Sequence, residues 1–162
     1  GQVGALAKIG PGEILAVEPF AGRRKRFQRA LDEASASDEN GLLLAEVAPI
    51  PDEAGPPIRI ASPLANRLSG ENPGRIVIVI EAQENDRVRL SVRSPGGKAA
   101  AGGKAAAGGF DLGALLADAT QGIPGADGTG HERAGSARLP RREMARVLAA
   151  IARANHPEAV AR

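Results

Sequence analysis

The chain has no cysteine, which excludes disulfides and thiolate metal sites and leaves His, Asp and Glu as the possible metal ligands. It also has no Tyr or Trp. Phe20, Phe27 and Phe110 are the only rings, so a base-stacking platform like those of RNA-recognition sheets is not expected. Apolar runs such as Ile76 to Ile80 stay far short of the roughly 20 residues that cross a bilayer. The opening Gly-Gln-Val-Gly lacks the basic-then-apolar pattern of a signal peptide. A soluble, cytoplasmic protein is the expectation, and the scarcity of Met and Cys beside abundant Arg and Pro leans towards a thermophile.

What is present suits one domain: 162 residues with 43% hydrophobic content can bury a core. The 21 basic and 19 acidic residues nearly cancel, so net charge argues for no class of partner and local clustering must decide. The basic side is mostly Arg, which suits bidentate phosphate contact but also follows from a GC-rich genome.

Residues 12–18 read as a strand stopped by Pro19. From Gly22, Phe27, Ala30, Leu31 and Ala34 recur at helical spacing, with Arg23, Arg24, Lys25, Arg26 and Arg29 crowding the first turns. The helix dipole disfavours that charge by about 0.3–1 kcal/mol per residue; the cluster reads as solvated surface, with phosphate contact as the alternative. Leu42 to Val47 is a second strand, 49–57 a Pro-rich loop, and Ile58 to Ile60 resumes a strand. A short helix starts at Ser62, as N-cap with Pro63 following, and ends near Gly70. Ile76 to Ile80 is β-branched throughout, the mark of a central strand buried on both faces. Val88, Leu90 and Val92 alternate with Arg87, Arg89, Ser91 and Arg93 on a neighbouring strand across a turn at 84–86. Arg87 and Arg89 read as a solvated strand face. Residues 95–109 read as a flexible Gly/Ala/Lys loop, Asp111 caps a helix carrying Leu112, Leu115, Leu116 and Ala119, and a last helix from Pro140 buries Met144, Val147, Leu148 and Ile151. The expected fold is α/β, a single domain with a central mixed sheet and flanking helices.

Between the last two helices lies Gly125-Ala-Asp-Gly-Thr-Gly-His-Glu-Arg-Ala-Gly135. Glycines let backbone N–H groups converge on a phosphate, and His131 or Arg133 can supply charge. On these residues alone the segment is either a phosphate loop or a mobile surface loop with an incidental His.

The ordered combination decides the expectation: a buried strand, a strand ending Ser91-Val-Arg-Ser94, Phe110-Asp-Leu-Gly opening a helix, then Gly128-Thr-Gly-His131, Ala134-Gly135 and Leu139-Pro140. This resembles the DHH-associated domain, the C-terminal half of the DHH phosphoesterases, which include RecJ-like exonucleases and oligoribonucleases. The resemblance covers residues 42–154; 1–41 is read as an N-terminal extension or linker and 155–162 as a tail. It implies that Gly128, Gly130, His131, Arg133 and Gly135 touch substrate phosphate or the terminal nucleotide, and that Arg93 and Ser94 form the second contact. The family segment usually reads Gly-Gly-Gly-His and then Ala-Ala-Gly; here Thr129 replaces the middle glycine and the spacing from His131 to Gly135 is short. Arg141 and Arg142 are further candidates for backbone contact.

The resemblance also implies a partner. The family's divalent cations, Mn or Mg, are held by Asp and His clusters in a separate catalytic domain. No Asp-His-His occurs in this sequence, and its only histidines are His131 and His156, so this chain is expected to bind single-stranded nucleic acid or a small nucleotide and to leave cleavage to the missing domain. The alternatives are a tRNA-binding and dimerisation domain like the C-terminal domain of alanyl-tRNA synthetases, or a non-catalytic replication scaffold.

Overall fold

A computed structural model describes residues 20–95 and 111–155. The strand read at 12–18, most of the Gly/Ala/Lys loop and the tail from His156 lie outside the described residues. The elements are α1 (Phe20–Glu33), β1 (Ser37–Glu39), β2 (Leu42–Val47), α2 (Ala61–Glu71), β3 (Ile76–Gln83), β4 (Arg87–Arg93), α3 (Leu112–Thr120), β5 (Asp127–Gly130), β6 (Ala134–Pro140), a 3-10 turn at Arg141–Glu143 and α4 (Met144–Asn155). No described helix is long and apolar enough to cross a membrane.

The strands form one mixed six-stranded sheet in the order β1-β2-β3-β4-β6-β5. Only β2 and β3 run parallel, joined by the crossover through α2; the other pairs are antiparallel. The fold is thus the α/β mixed sheet with flanking helices that the hydrophobic periodicity predicts.

The alternation of β3 dictates two cores. Ile76, Ile78 and Ile80 face one side and join Leu90, Val92, Leu112, Leu116, Val147 and Ile151 beneath α3 and α4. Val77 and Val79 face the other and join Leu64, Ala65, Leu68 and Leu31 beneath α2 and α1. Residues 20–39 thus contribute α1 to the second core and β1 to the sheet edge. Asp111 caps α3 as the sequence indicates, its carboxylate accepting from the Ala114 N–H at 3.0 Å.

Three local readings are corrected. Ser62 does not cap α2: the helix starts two residues earlier, at Ala61, its N-cap is Ile60, and no side chain caps it. Ile58 makes a single bridge to Ile50 rather than opening a strand, because the chain turns directly into α2. The glycine-rich segment is not a loop. Gly128 and Gly130 lie in β5 and Gly135 in β6, forming a hairpin whose turn holds His131, Glu132 and Arg133. Sheet pairing outweighed the weak strand propensity of Asp-Gly-Thr-Gly.

Candidate functional site

The glycines of the hairpin are explained by the helix above them. A Cβ at Gly128 would meet the Leu116 carbonyl at under 3.0 Å, one at Gly135 the Leu116 Cδ1, and one at Gly113 the Gly130 carbonyl. Gly128 and Gly135 therefore allow α3 to lie close on β5 and β6, a packing role that needs no phosphate. Bare backbone on one side of the hairpin leaves its other side to form the site.

On that other side, register sets the composition. Arg93, Ser91 and Arg89 of β4 stand opposite Ala134, Ser136 and Arg138 of β6, and Thr129 of β5 stands opposite Ser136. No residue of β5 or β6 joins the second core, so among the described residues α1 and α2 cover only the β2–β3–β4 part of this face. The sheet is left with a polar half. A cleft of about 220 Å³ lies there, lined by Ser62, Ser91, Arg93, Thr129, Gly130, Ala134, Gly135 and Ser136.

Arg93 is its charged group. The guanidinium donates to Asn66 Oδ1 at 2.8 Å and to the Val92 carbonyl at 2.9 Å, both neutral acceptors. Among the described residues no carboxylate lies within 4.0 Å of it, whereas Arg23, Arg26, Arg59, Arg75 and Arg141 are each paired to an acid. Burial pushes the Arg93 pKa down, but a guanidinium remains charged at neutral pH. Beside it the Ser91 hydroxyl is buried with no hydrogen-bond partner. A half-buried cation without a counter-ion next to an unsatisfied hydroxyl makes a place for an anion. Ser62, in the first turn of α2, adds the positive end of that helix to the rim.

The remaining site candidates fall into two groups. Ser94 is buried where β4 leaves the sheet, and its N–H donates to the Arg133 carbonyl at 3.0 Å, which ties the hairpin turn to the Arg93 strand. His131 is exposed at that turn, next to Gly130 and outside the lining residues; its Nδ1 accepts from the Arg133 N–H at 3.3 Å and its own N–H donates to the Ala134 carbonyl at 2.9 Å. Arg141 and Arg142 are not brought to the cleft. They follow the far end of β6, seven residues and roughly 20 Å from the hairpin turn. There Arg141 pairs with Glu46 at 2.8 Å and Arg142 lies 3.9 Å from Glu143.

Of the basic residues read as solvated surface, Arg24, Lys25 and Arg29 are exposed, whereas others are held by partners. Arg23 and Arg26 of α1 both bind the Asp52 carboxylate, whose side chain is only 4% exposed. They clamp the Pro-rich loop onto the domain. Arg87 donates to the Gly125 carbonyl and Arg89 to Ser136 Oγ at 3.2 Å. Sequence reasoning did not single out Ser91, Ser136 or Thr129 for the site. The alternation of Ser91 with Val92 was legible, but that a hairpin would carry Thr129 and Ser136 beside it was not.

No family model matches the sequence, and a search of curated proteins finds no match either. A solved structure described as the DHH domain of a member of a family of ribosomal proteins matches with a TM-score of 0.50 at 17% identity, over 83% of this chain and 30% of that one. The fold resembles that of a DHH-domain protein. This chain spans about 30% of that protein's length. Among the described residues no three His, Asp or Glu side chains come together in a way that could hold a metal ion.

Proposed function

We propose that this chain is a phosphate-binding module of the DHH-associated kind, which holds single-stranded nucleic acid or a small nucleotide for a catalytic domain of a DHH-type phosphoesterase. The observation that carries this reading is Arg93: a half-buried guanidinium that among the described residues has neutral partners only, beside the unsatisfied Ser91 hydroxyl, in a cleft whose far wall is the Gly130–Gly135 hairpin. The likeness to a DHH-domain structure supports it at the level of fold. Phosphate oxygens would accept from Arg93, from Ser91 and from the hydroxyls of Thr129 and Ser136, while His131 at the hairpin turn meets the flanking part of the ligand. Such contacts fix the strand without reading its sequence, and hydrolysis belongs to the metal-bearing partner.

Fluorescence anisotropy with labelled single-stranded DNA and RNA of equal length tests the reading. Arg93→Ala is expected to weaken binding about tenfold or more, the cost of losing a charge-assisted contact. His131→Ala should weaken it less, since His131 stands at the rim. Unchanged affinity in Arg93→Ala would exclude the cleft as the phosphate site.

A further inference from the structure

The buried stripe of α2, Ala61, Leu64, Ala65 and Leu68, lies on the sheet. Ser62 and Asn66 form the row beside that stripe, one helical turn apart and so stacked on the same side of the helix. Ser62 lines the Arg93 cleft. Asn66 meets Arg93 itself, its Oδ1 accepting from the guanidinium Nε at 2.8 Å. A guanidinium has donors and no acceptor, so the amide must present its oxygen to Arg93.

The two contacts of Arg93 hold it without using it up. Asn66 takes Nε, and the Val92 carbonyl takes one donor of Nη1 at 2.9 Å. Among the described residues Nη2 has no acceptor, so the tip of the guanidinium stays available to the oxygens of a phosphate. A long side chain anchored in this way has lost most of its freedom before a ligand arrives. Binding then need not supply that ordering.

An aspartate at this position would hold Nε in the same way and more tightly, because charge-assisted hydrogen bonds are roughly twice as strong as neutral ones. Elsewhere the chain uses that solution: Arg23 and Arg26 close on Asp52, Arg75 on Asp38 and Arg141 on Glu46. Position 66 is exposed, so a carboxylate there would meet little desolvation cost. It would, however, cancel the charge that attracts a phosphate. An amide of the same shape fixes the side chain and leaves its charge in place. We infer that Asn66 is a positioning residue of the phosphate site, which locks the Arg93 guanidinium with a neutral acceptor and so keeps its charge unmatched for the ligand. The inference rests on the phosphate-cleft reading and adds to it the residue that prepares the cation.

Labelled single-stranded DNA is the probe, titrated at neutral pH over a series of salt concentrations. The proteins are the full chain, Asn66→Asp, Asn66→Ala, Arg93→Ala and the double variant of Asn66→Asp with Arg93→Ala, each with its urea midpoint measured. Asn66→Asp fits the space of the amide and should keep or raise the midpoint. It should weaken binding about tenfold and make the slope of log K against log salt shallower by about 0.7, the share of one lost phosphate contact. Asn66→Ala removes the anchor and leaves the charge, so affinity should fall roughly threefold with the slope unchanged. In the Arg93→Ala background Asn66→Asp should change affinity less than about twofold, because the residue acts through Arg93. Wild-type affinity and slope in Asn66→Asp would overturn the positioning role. So would a loss that persists undiminished without Arg93, or one that comes with a lowered midpoint. If Arg93→Ala weakens binding while Asn66→Asp does not, the phosphate cleft stands and the role of Asn66 alone falls. If Arg93→Ala leaves affinity unchanged, or wild type does not bind the probe, both fall.

Discussion

Arginines in this chain end in opposite roles because of what lies across from them. Arg23 and Arg26 sit in a cluster that suggests a polyanion, yet both close on Asp52. Arg93 shows nothing unusual in the chain beyond its motif, yet among the described residues it meets only neutral oxygens. The Asp52 clamp has a pH consequence. Burial by itself would push the Asp52 carboxyl up, but the Ala54 N–H and the Arg26 and Arg23 guanidinia outweigh it and hold the carboxyl below its ordinary value of 3.8. A carboxyl depressed in the folded state stabilises the fold above its unfolded value and loses that contribution as pH falls through the folded one. Urea unfolding midpoints of wild type should therefore decline on acidification below 3.8, and Asp52→Asn should show a lower midpoint at neutral pH with a flatter acid limb. Identical acid limbs in the two proteins would remove Asp52 as the cause.

Among the elements, the β5–β6 hairpin is where local propensity and tertiary context disagree. Asp-Gly-Thr-Gly is a poor strand by composition, and it is held by β6 on one side and by α3 above. The absent Cβ atoms let the helix approach, and Leu116 and Leu112 bury over the glycines as a result. Gly128→Ala would push a methyl group against the Leu116 carbonyl, which belongs to helix backbone and cannot step aside as a side-chain tip does. The expected loss is about 1–3 kcal/mol in chemical denaturation. A variant as stable as wild type would show that α3 rides more loosely on the hairpin than its geometry indicates. Because the hairpin also forms the wall of the Arg93 cleft, oligonucleotide affinity should fall with stability in this variant.

For the molecule as a whole, a net charge of +2 is too small to steer nucleic acid by bulk attraction. Binding must come from the few cations whose charge is not already matched. On the polar half of the sheet these are Arg87, Arg89, Arg93 and Arg138, none of which has an acidic partner within 4.0 Å among the described residues; Arg87 and Arg89 donate to the Gly125 carbonyl and Ser136 Oγ, and Arg93 to Asn66 and Val92. Four such contacts predict log K falling against log salt with a slope of roughly −3 for single strands. A slope several times steeper would mean that other basic residues carry the strand, and Arg24 with Lys25 on the exposed side of α1 would be the first to test.

Periodicity alone determined that helices follow Gly22, Asp111 and Pro140, the two-faced burial of β3, the apolar row of β4 and the Asp111 cap, because each depends on contacts that repeat along a single element; the bounds of the first and last helix, 20–33 and 144–155, came from the structure. The motif reading picked out Arg93 and the Gly128–Gly135 segment before either had a place in space. The tertiary structure alone decided that this segment is a hairpin paired to β4, that its glycines seat a helix, that Arg141 and Arg142 stand at the opposite end of β6, and that Glu81 is buried with an unsatisfied oxygen. These outcomes turn on cross-strand register and on which half of a sheet face a helix covers. Both are relations between residues far apart in the chain, and no local spacing encodes them.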